Sequence, residues 1–193
     1  MSPSAGACHG KSHCVAAAGR FLAGDAAAAK VCAHAAGARH IADLFSGIGT
    51  FALRMAAFAR VDAFDLEEDA HLALAKAAPL PGLHEVLVAR RDLFTWPLHP
   101  AEMERYDAVV FDPPRAGARS QAMALAASQV PLAVAVSCNA ESFAHDAAIL
   151  CGGGYEITRV EPIDQFRHTP HVEIVACFRR RTQKPRRNRR LLG

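Results

Sequence analysis

Ala133-Val134-Ala135-Val136-Ser137-Cys138-Asn139 is a small apolar run that stops at a thiol and an amide. Two further stretches share its form. Val109-Val110-Phe111-Asp112-Pro113-Pro114-Arg115 ends in a carboxylate and two prolines, and Ile41-Ala42-Asp43-Leu44-Phe45-Ser46-Gly47-Ile48-Gly49-Thr50 runs into a glycine turn. Each reads as a short buried strand. In an open parallel sheet the carboxyl ends of the strands share one edge, and ligands bind in the crevice outside it. The three runs therefore predict one pocket faced by a thiol, an acid and a glycine loop.

Working outward, the remaining segments supply the alternation that such a sheet requires. An alanine-rich helix is expected between Gly19 and Gly37, and strands at 40–45, 61–66, 85–90, 106–111 and 132–137. Between them the pattern predicts helices at 50–59, 67–78, 121–128 and 141–150. Glu67, Glu68 and Asp69 place negative charge in the first turn of the second of these, where the macrodipole favours it. Pro79-Leu80-Pro81-Gly82 ends that helix, and 96–100 reads as a loop. After Gly152-Gly153-Gly154 come two strands, 155–162 and 171–178, with no helix between them, which predicts an antiparallel hairpin at one edge. The fold class is α/β: a doubly wound, mostly parallel seven-stranded Rossmann-like sheet with an antiparallel C-terminal hairpin.

Composition narrows the function classes. At 193 residues with 51% hydrophobic and 21% charged residues, the chain is long enough for one ordered domain and too apolar for disorder. No apolar run approaches the roughly 20 residues that cross a bilayer, and Met1 to Val15 lacks the apolar centre of a signal peptide. A soluble cytoplasmic monomer without membrane association is the expectation. Cysteines 8, 14, 32, 138, 151 and 177 contain no CxxC pair, so neither a metal site nor a disulfide framework is expected. Eight of the 22 basic residues lie in the last fifteen positions, which hold no acid, so the rest of the chain carries −5. A basic tail on an acidic body points to a polyanion, with nucleic acid the first choice and a merely solubilising end the alternative. The expected organisation is a flexible N-terminus at 1–18, a catalytic domain at 19–178 and a basic tail at 179–193.

Gly47-Ile48-Gly49-Thr50-Phe51-Ala52 fits GxGxxA, a turn that also opens dinucleotide-binding folds. Asp43, just before the glycines, would repel a pyrophosphate but suits a cofactor with a cationic amino-acid end. S-adenosylmethionine has that end, a ribose for Asp65 after the second strand and an adenine for Asp92 after the third. Asp92 serves equally well as a turn cap. Ser46, Gly47, Gly49, Thr50 and Phe51 complete the expected cofactor site.

DLFSGIGTF, FDPPRAGA, VSCNAESFAHD and DQFRHTPHVEIV occur in that order between Arg39 and Phe178. Together they resemble the catalytic domain of the RNA uracil-C5 methyltransferases, which make 5-methyluridine. The resemblance implies a class I S-adenosylmethionine-dependent methyltransferase fold and an RNA substrate, either rRNA or tRNA. The chemistry has its own logic, since carbon 5 of uracil is a weak nucleophile until a thiolate adds to carbon 6. Cys138 suits that addition. The resemblance makes Glu173 the base that removes the carbon 5 proton. It also places Asp112 between cofactor and base, in contact with the target nucleobase. Pro113, Arg115, Asn139 and Gln165 are the implied substrate-binding residues.

The chain departs from the family pattern at three points. Ala140 and His145 stand where the family commonly has proline and arginine, and Ala23 stands where a phenylalanine-x-glutamine element would place its glutamine. The family also has a long N-terminal RNA-binding part, which this sequence is expected to lack. An alternative reading is therefore a truncated or degenerate methyltransferase-fold protein that binds S-adenosylmethionine or RNA without turnover. A nicotinamide-dependent oxidoreductase, resting on GxGxxA, leaves Cys138 and Asp112-Pro113-Pro114 unexplained.

Overall fold

The computed structural model describes residues 22–163 and 172–181. Its elements run α1 (Leu22–Ala35), β1 (His40–Leu44), α2 (Ala52–Met55), β2 (Arg60–Asp65), α3 (Glu68–Ala77), β3 (Val86–Arg90) and α4 (Pro100–Met103). There follow β4 (Ala108–Phe111), α5 (Arg119–Ala127), β5 (Leu132–Ser137), α6 (Ala140–Gly152), β6 (Tyr155–Ile163) and β7 (Glu173–Arg180). The seven strands form one sheet in the order β3-β2-β1-β4-β5-β7-β6. It is parallel from β3 through β5, and β7 lies antiparallel to both of its neighbours.

Burial explains the strands. Every residue of β4 and β5 is buried, and their Ala, Val, Leu and Phe side chains suit a strand covered on both faces. On one face Val31 of α1, Met55 of α2 and Leu74 of α3 pack with Ile41, Val61 and Val134. On the other, Met103 of α4, Leu125 of α5 and Leu150 of α6 pack with Leu44, Val109 and Phe178. Fully buried Ala27, Ala28 and Ala35 let α1 approach the sheet without a bulky side chain between them. The sheet is thus doubly wound, and its strand order reverses direction between β1 and β4. Such a reversal opens a crevice at the carboxyl ends of the two strands.

Several local expectations are corrected. The helix expected at 50–59 is only the four residues of α2, because the amides of Ala57 and Phe58 bond three residues back, to Arg54 and Met55, and tighten the end into a turn. The loop expected at 96–100 runs directly into α4, which begins with a capping box between His99 and Glu102 and with Pro100 in the first turn. Arg179 and Arg180 belong to β7 rather than to a tail. The strand continues because the Arg180 guanidinium caps helix ends, donating to the carbonyls of Gly153, Leu125 and Ala126 and lying 4.5 Å over the Tyr155 ring. Among the described residues no helix is long and apolar enough to cross a membrane, and no group of three or more His, Cys, Asp or Glu is placed to hold a metal.

Candidate active site

The register of the sheet builds the site. Ser137 ends β5 paired with Ile174 of β7, so Cys138 just follows and Glu173 just precedes the last pair of the ladder. Likewise Leu44 pairs with Phe111, which sets Phe45 beside Asp112, and the Asp112 amide donates to the Leu44 carbonyl at 3.2 Å. Asp65 ends β2 in the same row. Outside this row lies a cavity of about 520 Å³, lined by Asp65, Asp92, Asp112, Pro113, Pro114, Cys138 and Glu173.

At the β4–β5–β7 end, Cys138 is exposed. Burial and the negative charge of Glu173 push the Asp112 carboxyl up to about 7. Burial also raises Glu173 above the usual carboxylate range. A carboxylate raised by burial is a stronger base when ionised. Pro113 is buried, and Pro114 lies exposed beside it in the cavity wall.

At the β1–β2–β3 end, the expected cofactor residues divide into two groups. Asp65 ties the glycine turn to its own strand, accepting from the Gly47 amide at 2.8 Å and the Glu67 amide at 2.9 Å. Each of its oxygens retains a lone pair for a further donor. Gly47 and Gly49 have φ of +53° and +91°, and a Cβ on Gly49 would meet Leu74 at 2.3 Å, so glycine there also lets α3 approach the turn. Asp43 lies within β1, completely buried beneath the turn rather than in the cavity wall. Burial, reinforced by Asp112, holds its carboxyl well above the ordinary range, and the Ala52 amide offsets this only in part. Neither carboxylate oxygen has a full hydrogen-bond partner among the described residues, and the Ser46 hydroxyl lacks one too.

Four other assignments shift. Phe51 is a core residue 4% exposed, packed in the α1–α3 cluster, and neither it nor Thr50 lines the cavity. Asp92 faces the cavity but caps its own loop, accepting from the Phe94 amide at 3.0 Å, the Thr95 amide at 3.2 Å and the Thr95 hydroxyl, which lowers its pKa. Asn139 spends both ends of its amide on structure. Its Oδ1 accepts from the Glu141 amide at 2.9 Å as the cap of α6, and its Nδ2 donates to the Arg115 carbonyl at 3.2 Å. It therefore braces the loop after β4 against the loop after β5. Arg115 is exposed on that braced loop, and Gln165 lies outside the described residues.

The cavity also exposes residues the sequence reading passed over: Phe45, Leu66, Glu67, Arg91, Leu93 and Phe94. Phe45 has φ of +62°, unusual for a bulky residue, and its ring packs 5.3 Å from that of Phe94. Backbone strain of this kind concentrates at ligand sites, but a sequence does not display it. Leu66 and Phe94 each follow an expected cofactor acid by one or two residues, and that proximity was the available signal.

The donor set decides what the cavity suits. Five carboxylates and one guanidinium line it, and that guanidinium, of Arg91, is occupied by Glu102 and by the carbonyls of Trp96 and Pro97. Such a wall repels a pyrophosphate and favours a ligand carrying positive charge. With Asp43 and Ser46 buried without partners beneath the glycine turn, the residues fit a cationic cofactor such as S-adenosylmethionine.

This sheet order, with its inserted antiparallel strand and a carboxylate-lined crevice at the switch point, defines a class I S-adenosylmethionine-dependent methyltransferase fold. The solved magnesium protoporphyrin IX methyltransferase of Synechocystis shares it with a TM-score of 0.61 over 92% of this chain and 86% of that one, at 17% identity. Residues 89–181, just under half of the chain, match the family model for tRNA (uracil-5-)-methyltransferase. An uncharacterised RNA methyltransferase of Agrobacterium fabrum is 54% identical over 80% of this chain. The 23S rRNA (uracil(1939)-C(5))-methyltransferase of Chromohalobacter salexigens is 37% identical over 78% of this chain and 31% of its own length. The structure of the Pyrococcus abyssi tRNA (uracil-54, C5)-methyltransferase, in complex with S-adenosyl-L-homocysteine, matches with a TM-score of 0.71 and 30% identity over 80% of this chain and 38% of that one. The chain spans 37% of the length of the Agrobacterium relative.

Proposed function

We propose that this chain transfers a methyl group from S-adenosylmethionine to carbon 5 of a uridine in rRNA or tRNA, through a covalent bond between Cys138 and carbon 6. The observation that supports this reading best is that Cys138, Asp112 and Glu173 line a single cavity.

Asp43, the Ser46–Thr50 turn and Asp65 would hold the cofactor, with Asp92 beside them. When bound, the cofactor supplies an electrophilic methyl group. The Cys138 thiolate adds to carbon 6, and the electrons of the carbon 5–carbon 6 double bond shift into an enolate that makes carbon 5 nucleophilic. Asp112, about half protonated near pH 7, can donate to a nucleobase carbonyl as that charge develops. Once carbon 5 carries the methyl group, the Glu173 carboxylate removes its proton. The electron pair left behind re-forms the double bond and expels the thiolate, so cysteine is regenerated. The target base has to leave its stack to reach such a cavity.

Ala23, in place of the family's glutamine, favours a second reading, in which the chain binds cofactor or RNA without turnover. One experiment separates the two. Incubation of the full chain with methyl-labelled S-adenosylmethionine and total RNA, followed by nucleoside analysis, should yield labelled 5-methyluridine. Cofactor binding by calorimetry with no labelled nucleoside would establish the second reading instead.

A further inference from the structure

Beside the reactive cavity lies a second one of about 330 Å³, set between the segment after β4 and the first turns of α6. Arg119 stands on one side and Asn139, Ser142 and His145 on the other, with Glu141 and Asp146 completing the wall. Cys138 lines the first cavity and Asn139 the second, so adjacent residues face the two spaces. The geometry of the wall is fixed. Asn139 holds the Arg115 carbonyl at 3.2 Å, and Asp146 accepts from the Ala118 amide at 2.7 Å. Gly117 has φ of +80°, and a Cβ there would meet Ser142 and Asp146 at 3.0 Å, so the loop lies against α6 because that position lacks a side chain.

The charges in this groove are unequally available. Asp146 is buried and already engaged by a backbone amide. Arg119 is exposed and opens α5, a position where a cation opposes the helix macrodipole, so the helix itself gains nothing from it. Its placement calls for another explanation.

We propose that this groove holds a phosphodiester of the RNA strand next to the uridine whose base enters the reactive cavity. The inference rests on the function proposed above and specifies how its substrate is seated. A base turned into the first cavity leaves its own backbone at the mouth, with the flanking phosphates one nucleotide's length away at most. The second cavity adjoins the first through the neighbouring residues Cys138 and Asn139. Arg119 and His145 offer N–H donors and Ser142 a hydroxyl, the mixture that meets phosphate oxygens and fixes register without reading sequence. Glu141 repels an anion at its end of the groove and so directs the phosphate toward Arg119 and His145.

The test is fluorescence anisotropy of the full chain with fluorescein-labelled oligouridylate over a range of sodium chloride concentrations. Arg119→Gln should weaken binding about tenfold, as loss of a charge-assisted contact does. It should also reduce the slope of log affinity against log salt by about 0.7, the value for one phosphate contact on a single strand. Lys76→Gln removes the same charge from the exposed last turn of α3 and should leave the slope unchanged. In the methyl-transfer assay the KM for RNA should rise with Arg119→Gln. Equal slopes for the two variants, with wild-type chain binding and methylating RNA, would overturn the groove and leave the proposed function standing. A wild-type chain that binds no RNA would overturn both.

Discussion

A carboxylate carrying a pKa near 7 is the most informative single residue in this chain. Asp112 is raised to about 7 by burial and by Glu173, whereas in the unfolded chain it titrates near 4. The folded state therefore binds the extra proton between those values, and stability from this group is present at pH 4 and lost as pH rises through about 7. Asp112→Asn removes the ionisation, so at pH 8 the variant should be more stable than wild type by about 1–2 kcal/mol. The difference should vanish toward pH 4. Thermal melts across pH 4–8 check this, and a variant less stable than wild type at pH 8 would contradict it. Asp43 obeys the same logic more severely, being completely buried without full partners. Asp43→Asn should raise the melting temperature of the ligand-free chain at pH 8 yet abolish the rise that S-adenosylmethionine produces. Stability surrendered for a ligand is common at functional sites.

At the scale of elements, the strands were readable because burial on both faces leaves a continuous apolar run, as in Ala133 to Val136, and the acids and thiol at the run ends marked the cavity edge. The helix boundaries were less readable, since they depend on single hydrogen bonds. α2 stops where two amides bond three residues back, and α4 forms around one His99–Glu102 box. Cys138, Asp112 and Glu173 line one cavity, and their positions at strand ends are legible in the sequence. That Phe51 packs in the core and Asn139 braces two loops is not legible, because a side chain's direction inside a turn is not periodic. Asn139 offers a test that separates brace from cap. Asn139→Asp keeps the oxygen that caps α6 but loses the donor to the Arg115 carbonyl. Its stability should stay within about 0.5 kcal/mol of wild type, while methyl transfer slows as the Arg115 loop loosens. Asn139→Ala should in addition lose about 1 kcal/mol of stability, read by urea denaturation.

For the whole molecule, the antiparallel insertion of β7 brings Glu173 to the carboxyl edge of the sheet, into the cavity that Cys138 lines. Deleting residues 182–193, which hold five of the basic residues, should flatten the salt dependence of RNA binding without altering which uridine is methylated. Nucleoside mapping of the product would expose a change of site. The central claim is that one cavity makes and then breaks a bond between Cys138 and uridine. The most direct measurement is a denaturing gel of wild type, Cys138→Ala and Glu173→Gln after incubation with RNA and S-adenosylmethionine. The account predicts an RNA-linked protein band that accumulates in the glutamate variant, where addition proceeds and elimination stalls, and that is absent in the cysteine variant. A Cys138→Ala chain that still produces 5-methyluridine would contradict it.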